Sequence, residues 1–550
     1  MRTAPVIAAI IFFLFSAFFC LQPPLLLSQD WIYTVQEGDN LWKIGKKNLK
    51  SMRYWRKLVD LNRIDDPVHL QPGSTIRIPF DWLKKGASMA RLIAVSGEAV
   101  VFRNKGVTPI KAVVGMFLWS NDRVQTVTGS NVTLKFADGS EVLIQAESEM
   151  VIGKLMRYGA TGMTETNLRL ESGRIHNKII PVSGPGSRFE IRTPSAVAAA
   201  RGTEYRIGTA PDGSSWTEVL AGAVWLDSSG ETDRLERGYG SITFPDKKPL
   251  PPIKLLQAPD LSKLSEKICK IPFPVKIDSI PGARQYRMQI AADHHFRSLL
   301  FDKTFPGTNL WGPDLPNGVY FLRINGIDNN GLEGLYSVHR FNMVAHPVPP
   351  TPLSPVIDAV MEDCQPTFRW SQSKEIKRYH FQLADSDRFS TLLTDVTNLN
   401  EPEYRLQEQL SPGRYHWRLA SLDPLGNLGP YSDPQQFRCL PPSPDMSNAK
   451  LDKDGMVYRW PESKTADRYR FQISRDEAFT NPFVDEELVE PQFNLHVLPP
   501  GTYYLQVATI TPDGFTGPYS LPQMVVIESP PPHPLVVAGS VLFTIVIILL

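Results

Sequence analysis

The sequence predicts a multidomain, mainly β chain: a small βααβ module, a β-sandwich or β-roll block, three sandwich repeats and a C-terminal apolar helix. Three observations carry this. Two helical patterns between two short alternating runs occupy residues 31–79, alternating strands separated by Gly turns fill 91–244, and one motif recurs three times after 284. A length of 550 residues suits several domains, and 58 Lys+Arg against 57 Asp+Glu disfavour a nucleic-acid partner.

Residues 1–28 read as an export signal, with Arg2 before an apolar core from Val6 to Phe19. Cleavage after Ser28 and an uncleaved anchor both fit. Phe19 before Cys20 is too large for a good lipoprotein processing site. The expected module spans 29–83. Asp39 and Asn40 compete as N-cap residues, Leu41 and Ile44 give an inward helical face, and Trp55, Leu58, Val59 and Asn62 give a second. Pro72-Gly73 suits a turn, and Ile76 and Ile78 alternate with polar residues. The basic run Lys43 to Lys57 suits either an anionic polymer or a solvated helix face.

The runs YTVQEGDNLWKI, LVDLNRIDDP and LQPGSTIRIP together resemble the LysM module. The resemblance implies binding of N-acetylglucosamine-containing glycans, chiefly peptidoglycan or chitin, in a shallow groove between two loops. Carried onto this sequence, the groove would comprise Gly38, Asp39, Asn40 and Leu41 on one side and Asn62, Arg63 and Ile64 on the other. Asn40 stands where the family usually has Thr. The same residues also serve as caps and turns, and that alternative stays open.

Residues 87–246 form the second expected domain, with Asp138-Gly139 predicting a hairpin between Val132-Leu134-Phe136 and Val142-Ile144. SGEAVV, DRVQTVTGSNVTLKFADGSEVLI, LRLESGRI, RFEIRTPSAVAAARGTEYRIG and EVLAGAVWL make this block resemble the FecR domain. That family lies in the periplasm, and its founding type relays a signal through a cytoplasmic N-terminal tail. Only about five residues precede the apolar core here, so the relay does not transfer directly.

A Pro- and Lys-rich linker is expected at 247–264, then repeats at 265–347, 348–442 and 443–529. RQYRMQIAADHHF, KRYHFQLADSDRF and DRYRFQISRDEAF place Tyr286, Tyr379 and Tyr469 at matching positions, and a PG or NG turn followed by Tyr recurs in each. The pattern resembles fibronectin type III or immunoglobulin-like modules, which act as spacers. Cys364 and Cys439 fall at one end of the second repeat, as a disulfide or as two buried thiols. The tail 535–550 has no charge and reads as a short transmembrane helix of about 24 Å or the start of a longer span.

No hydrolase, P-loop or dinucleotide motif is present. His294-His295 lacks further ligands, so no metal, cofactor or catalytic residue is assigned. The expected function is a non-catalytic, exported periplasmic protein. It would bind peptidoglycan, be held at the bacterial inner membrane by its tail, engage an envelope protein through the FecR-like domain, and tether wall to membrane. The alternative is a periplasmic sensor that relays an envelope signal through a membrane partner.

Overall fold

The computed structural model describes residues 30–181, 184–373, 376–452, 457–495, 498–527 and, as backbone, 545–548. The export segment and most of the apolar tail lie outside them. Two compact units are present, Met1–Ile268 with Pro272–Met343, and Cys269–Ile271 with Val344–Leu550.

At the start of the first unit, strand Asp30–Thr34 pairs antiparallel with Thr75–Pro79, aligning Trp31 with Ile78 and Tyr33 with Ile76. Helices Leu41–Asn48 and Tyr54–Asn62 lie between them. Asn40 caps the first, its side chain accepting from Lys43 N at 2.8 Å. The second ends at Arg63 in the left-handed region, φ 52°. Leu41, Ile44, Leu58, Ile76 and Ile78 close the core as their spacing predicts.

This module is continuous with the next domain. Tyr158 and Met163, on the Tyr158–Met163 turn of the following domain, belong to the same buried cluster. Phe80 packs on Tyr158 with centroids 4.6 Å apart. Asn48 locks the junction: Nδ2 donates to Ile44 O, while Oδ1 accepts from Ala160 N at 2.9 Å. A buried amide satisfied on both sides fixes the two parts in one orientation.

Strands from Lys85–Ala87 through Ile253–Lys254 form one barrel-like domain of two sheets, in keeping with the expected sandwich or roll. The two sheets share one long strand, Thr164–Lys178. Its first half pairs with Glu149–Tyr158 and, in parallel, with Arg188–Arg192; its second half pairs with Glu141–Ile144 and Glu204–Thr209. It therefore passes from one sheet to the other and joins the two. The expected hairpin is present, with Val142 opposite Leu134, Ile144 opposite Val132, and Gly139 at φ 89° in the turn.

Residues 247–264 are packed. Ile253–Lys254 adds a strand to Tyr239–Thr243, Leu255 and Leu261 are buried, and Leu335 N donates to Leu256 O. The first repeat orders its main sheet Lys267–Ile268, Glu333–Met343, Gly318–Ile327, Gln285–Ala291, Leu299–Phe305, with Phe273–Lys276 and Asn309–Gly312 as a separate pair.

The second unit holds two more sandwiches of the same plan. Tyr379 and Tyr469 are buried, like Tyr286 in the first repeat. After each PG or NG turn, Tyr320, Tyr415 and Tyr503 donate to the carbonyl four residues back, at 2.9, 2.7 and 2.9 Å. The shared turn sequence thus fixes one hydrogen bond three times.

The tail departs from expectation. Ile545–Ile548 is a strand antiparallel to Gln523–Ile527, pairing Val525 with Ile547, so the C-terminal apolar helix is not supported there. An Ile-Val-Ile-Ile run is β-branched throughout, which disfavours a helix and suits an open sheet edge. Among the described residues no helix is long and apolar enough to cross a membrane. Cys364 and Cys439 are free thiols in one buried cluster, and Cys364 Sγ donates to Leu440 O at 3.7 Å. No disulfide joins them, and burial pushes both thiols up.

Candidate functional site

The two loops expected to form the glycan groove meet at their base, where Leu41 N donates to Pro67 O at 2.9 Å. Gly38 stands exposed at φ 78° with nothing within 4 Å of the place a Cβ would occupy. Its carbonyl accepts from Lys43 Nζ at 2.9 Å. Asp39 Oδ2 accepts from Tyr33 OH at 2.5 Å and Gln36 N at 2.9 Å. Burial pushes Asp39 up, but Tyr33, the Gln36 amide, Lys47 and Lys43 outweigh it and hold the carboxyl below its usual value. Tyr33 is driven to about 12 by burial and by Asp39.

Across the groove, Asn62 Nδ2 donates to Leu58 O and Arg77 O, and its Oδ1 accepts from Arg77 N at 2.6 Å. This amide extends strand Thr75–Pro79 to the helix end, so its hydrogen bonds are spent on the fold. Leu41 is a correction: its side chain is 0% exposed and cannot touch a sugar, because it is the inward position of the helix it begins. Ile64 is half-buried against the same core. Arg63 is exposed and Asp39 and Asn40 are half-exposed, so the groove polarity comes from those residues and from backbone around Gly38.

Two exposed apolar side chains flank the Leu41–Pro67 bridge and were not singled out by the sequence. Trp42 is 54% exposed and Val68 60%. Lys46 Nζ lies 5.0 Å from the Trp42 ring centroid. The signal was available: with Leu41 and Ile44 facing inward, Trp42 falls about 100° off that face. An open indole beside polar loops is suited to the apolar face of a sugar ring.

A second cluster joins the barrel to the first repeat. Arg206 Nε donates to Glu218 Oε2 at 2.6 Å, and its Nη2 donates to Glu333 O and Gly334 O at 2.5 and 2.8 Å. Glu333 Oε1 accepts from Arg287 Nη1 at 2.6 Å and from Arg174, and its amide donates to Glu218 Oε1 at 2.7 Å. Burial pushes Glu333 up, but Arg287, Arg206 and Arg323 hold its carboxyl low. Beside it, Glu204 Oε1 accepts from Tyr336 OH, and His176 Nε2 lies 2.8 Å from that same oxygen. Burial holds His176 near 4. These groups lie on strands whose alternation predicts half-exposure; the first repeat covers their outer face, so both faces of Glu204–Thr209 are largely buried.

The fold and these sites define a β-rich, multidomain chain with an N-terminal LysM module and a FecR domain, followed by immunoglobulin-like sandwiches. Residues 33–79 match the LysM domain model, and residues 122–225 match the model described as FecR protein. Both families are non-catalytic. A protein of Treponema pallidum (strain Nichols), described as uncharacterized, is 24% identical over 481 residues, covering 79% of this chain and 69% of its own length.

Solved structures with local likeness include a proposed anti-sigma factor from Parabacteroides distasonis ATCC 8503, 17% identical with a TM-score of 0.20. That match covers 24% of this chain and 59% of the other. The chicken CNTN1 FN1–FN3 domains are 17% identical over 46% of this chain and 94% of theirs, with a TM-score of 0.19.

Proposed function

We propose that this is a non-catalytic envelope protein that binds peptidoglycan through its LysM module and holds an envelope partner at the wall through its FecR domain. The observation that supports it best is the LysM match combined with the groove geometry: a bridged pair of loops, open backbone at Gly38, and exposed Trp42 and Val68 at the rim. Asp39, Asn40, Arg63 and Ile64 contribute polarity and shape, whereas Leu41 and Asn62 maintain the groove from within. Because the module shares a core with the barrel, binding to glycan orients the barrel and first repeat along with it. The two remaining sandwiches act as spacers. Isothermal titration of the full chain with a soluble N-acetylglucosamine-containing wall fragment tests the reading. Binding that is lost in Trp42→Ala supports it, and no binding by the unaltered chain refutes it.

A sensory role is the second reading, favoured by the FecR match alone. Deletion of residues 87–246 separates the two, since loss of wall retention favours tethering and altered transcription with retention intact favours signalling.

A further inference from the structure

The barrel-like domain carries, just before the residues that match FecR, an apolar edge that neither its core nor the joint to the first repeat uses. Residues 103–119, RNKGVTPIKAVVGMFLW, run along the edges of the sheets between strands Ala99–Phe102 and Arg123–Thr126 and contribute two short edge strands. Six large apolar side chains stand open along it: Val107 at 86%, Val114 at 61%, Val113 at 50%, Trp119 at 46%, Phe117 at 45% and Ile110 at 44%. Single exposed apolar residues are ordinary, but six within thirteen positions, two of them aromatic, are an unusual local concentration.

The backbone holds this edge firmly. Pro109–Lys111 pairs with Ala99–Phe102, Phe117–Leu118 pairs with Ala90–Ser96 through Arg91, and Ala112 N donates to Ala99 O at 2.9 Å. Its apolar side chains are therefore presented rather than left over from a loose loop.

The charge within it is of one sign. Residues 103–119 contain Arg103, Lys105 and Lys111 and no Asp or Glu. Arg91 reaches the patch as well, its guanidinium 3.8 Å from the Cβ position of Gly115. Arg103 is neutralised by the buried carboxylate of Asp122 at 2.6 Å. Arg91, Lys105 and Lys111 make no ion pair among the described residues. Glu98 stands at the border, beside Ala99.

We propose that this edge docks on an anionic lipid surface. Valines at the tips would enter the headgroup region, Phe117 and Trp119 would sit at the interface, and Arg91, Lys105 and Lys111 would meet lipid phosphates. Apolar side chains flanked by unneutralised basic residues are the combination that an anionic bilayer attracts, through burial and charge together. Charge complementarity favours this occupant, because residues 103–119 carry no acidic group and three basic residues around them stay unneutralised against the single border carboxylate of Glu98.

The test uses the full chain on phosphatidylcholine vesicles with and without roughly 30% phosphatidylglycerol. Hydrogen exchange across 105–119 reads the patch locally, whatever the apolar ends of the chain do. Exchange there slows further on anionic vesicles and keeps its lipid-free rate on neutral ones. Lys105→Glu with Lys111→Glu raises the lipid concentration needed for protection by at least roughly 30-fold, from the usual benefit of each basic residue near such a surface. Phe117→Ser with Trp119→Ser abolishes protection while leaving exchange in the Thr164–Lys178 strand unchanged. Equal exchange with and without anionic vesicles overturns the proposal. So does protection that appears only with another envelope protein, or protection equal on neutral and anionic lipid.

Discussion

Glu333→Ala removes the carboxylate on which Arg174, Arg206 and Arg287 converge, at a site where the Glu333 and Arg206 side chains are each 3% exposed. Among the described residues, the carboxylates that remain are Glu218 beside Arg206 and Asp302 beside Arg287, and Arg174 is left with none. Removing one partner from a buried ion pair costs about 3–5 kcal/mol, because the remaining charge keeps its desolvation penalty without its compensation. An internal reference exists in the third repeat. There Arg470 meets Asp485 at 2.7 Å in the position that Arg287 and Asp302 occupy in the first, but with side chains 40% and 33% exposed. Asp485→Ala should therefore cost under about 1 kcal/mol. Hydrogen exchange of strands Glu204–Thr209 and Ser215–Ala221 in increasing urea measures the local stability of the joint. Glu333→Ala should move its opening midpoint down by roughly 1–2 M. A loss no larger than that for Asp485→Ala in its own repeat would refute the idea that this network holds barrel and repeat together.

The same joint should weaken in acid. Burial lowers His176 from 6.5 to about 4; the unfolded chain therefore binds a proton first, and stability present above pH 6.5 is lost as pH falls toward 4, by about 3 kcal/mol. His176→Gln should flatten that slope in a pH series of urea midpoints. Asn62→Ala should destabilise the LysM module by about 1 kcal/mol, through loss of its solvent-exposed hydrogen bonds to Arg77, as read by exchange of strand Thr75–Pro79. Asn48→Ala should release the Tyr158–Met163 turn, seen as faster exchange at Ala160, without unfolding the barrel core.

Much of this architecture was legible because local rules and packing agree. Leu41 and Ile44 at helical spacing, the Asp138-Gly139 turn and the recurring Tyr286, Tyr379 and Tyr469 all sit where periodicity puts them. The joining of the two sheets was not legible, since it depends on Thr164–Lys178 pairing with different partners along its length, and period-2 alternation carries no information about partners. The joint was hidden for a related reason. Arg206 and Glu218 look like polar outward positions of half-exposed strands until the first repeat covers them. Residues 247–264 read as a linker from their prolines, although Ile253, Leu255 and Leu256 already hinted at packing. In the candidate groove, the motif located the loops but not the division of labour: the Leu41 side chain is core, Asn62 is a staple, and Trp42 lies open because it is off the inward face.

Peptidoglycan binding is tested most directly by co-sedimentation of the full chain with purified sacculi, comparing the unaltered protein with a Trp42→Ala, Val68→Ala variant whose fold is verified by exchange at Leu41 and Ile76. The unaltered chain should pellet with sacculi and the variant should remain largely in the supernatant. Failure of the unaltered chain to pellet would contradict wall binding, and equal pelleting of both would contradict the placement of the glycan between these loops.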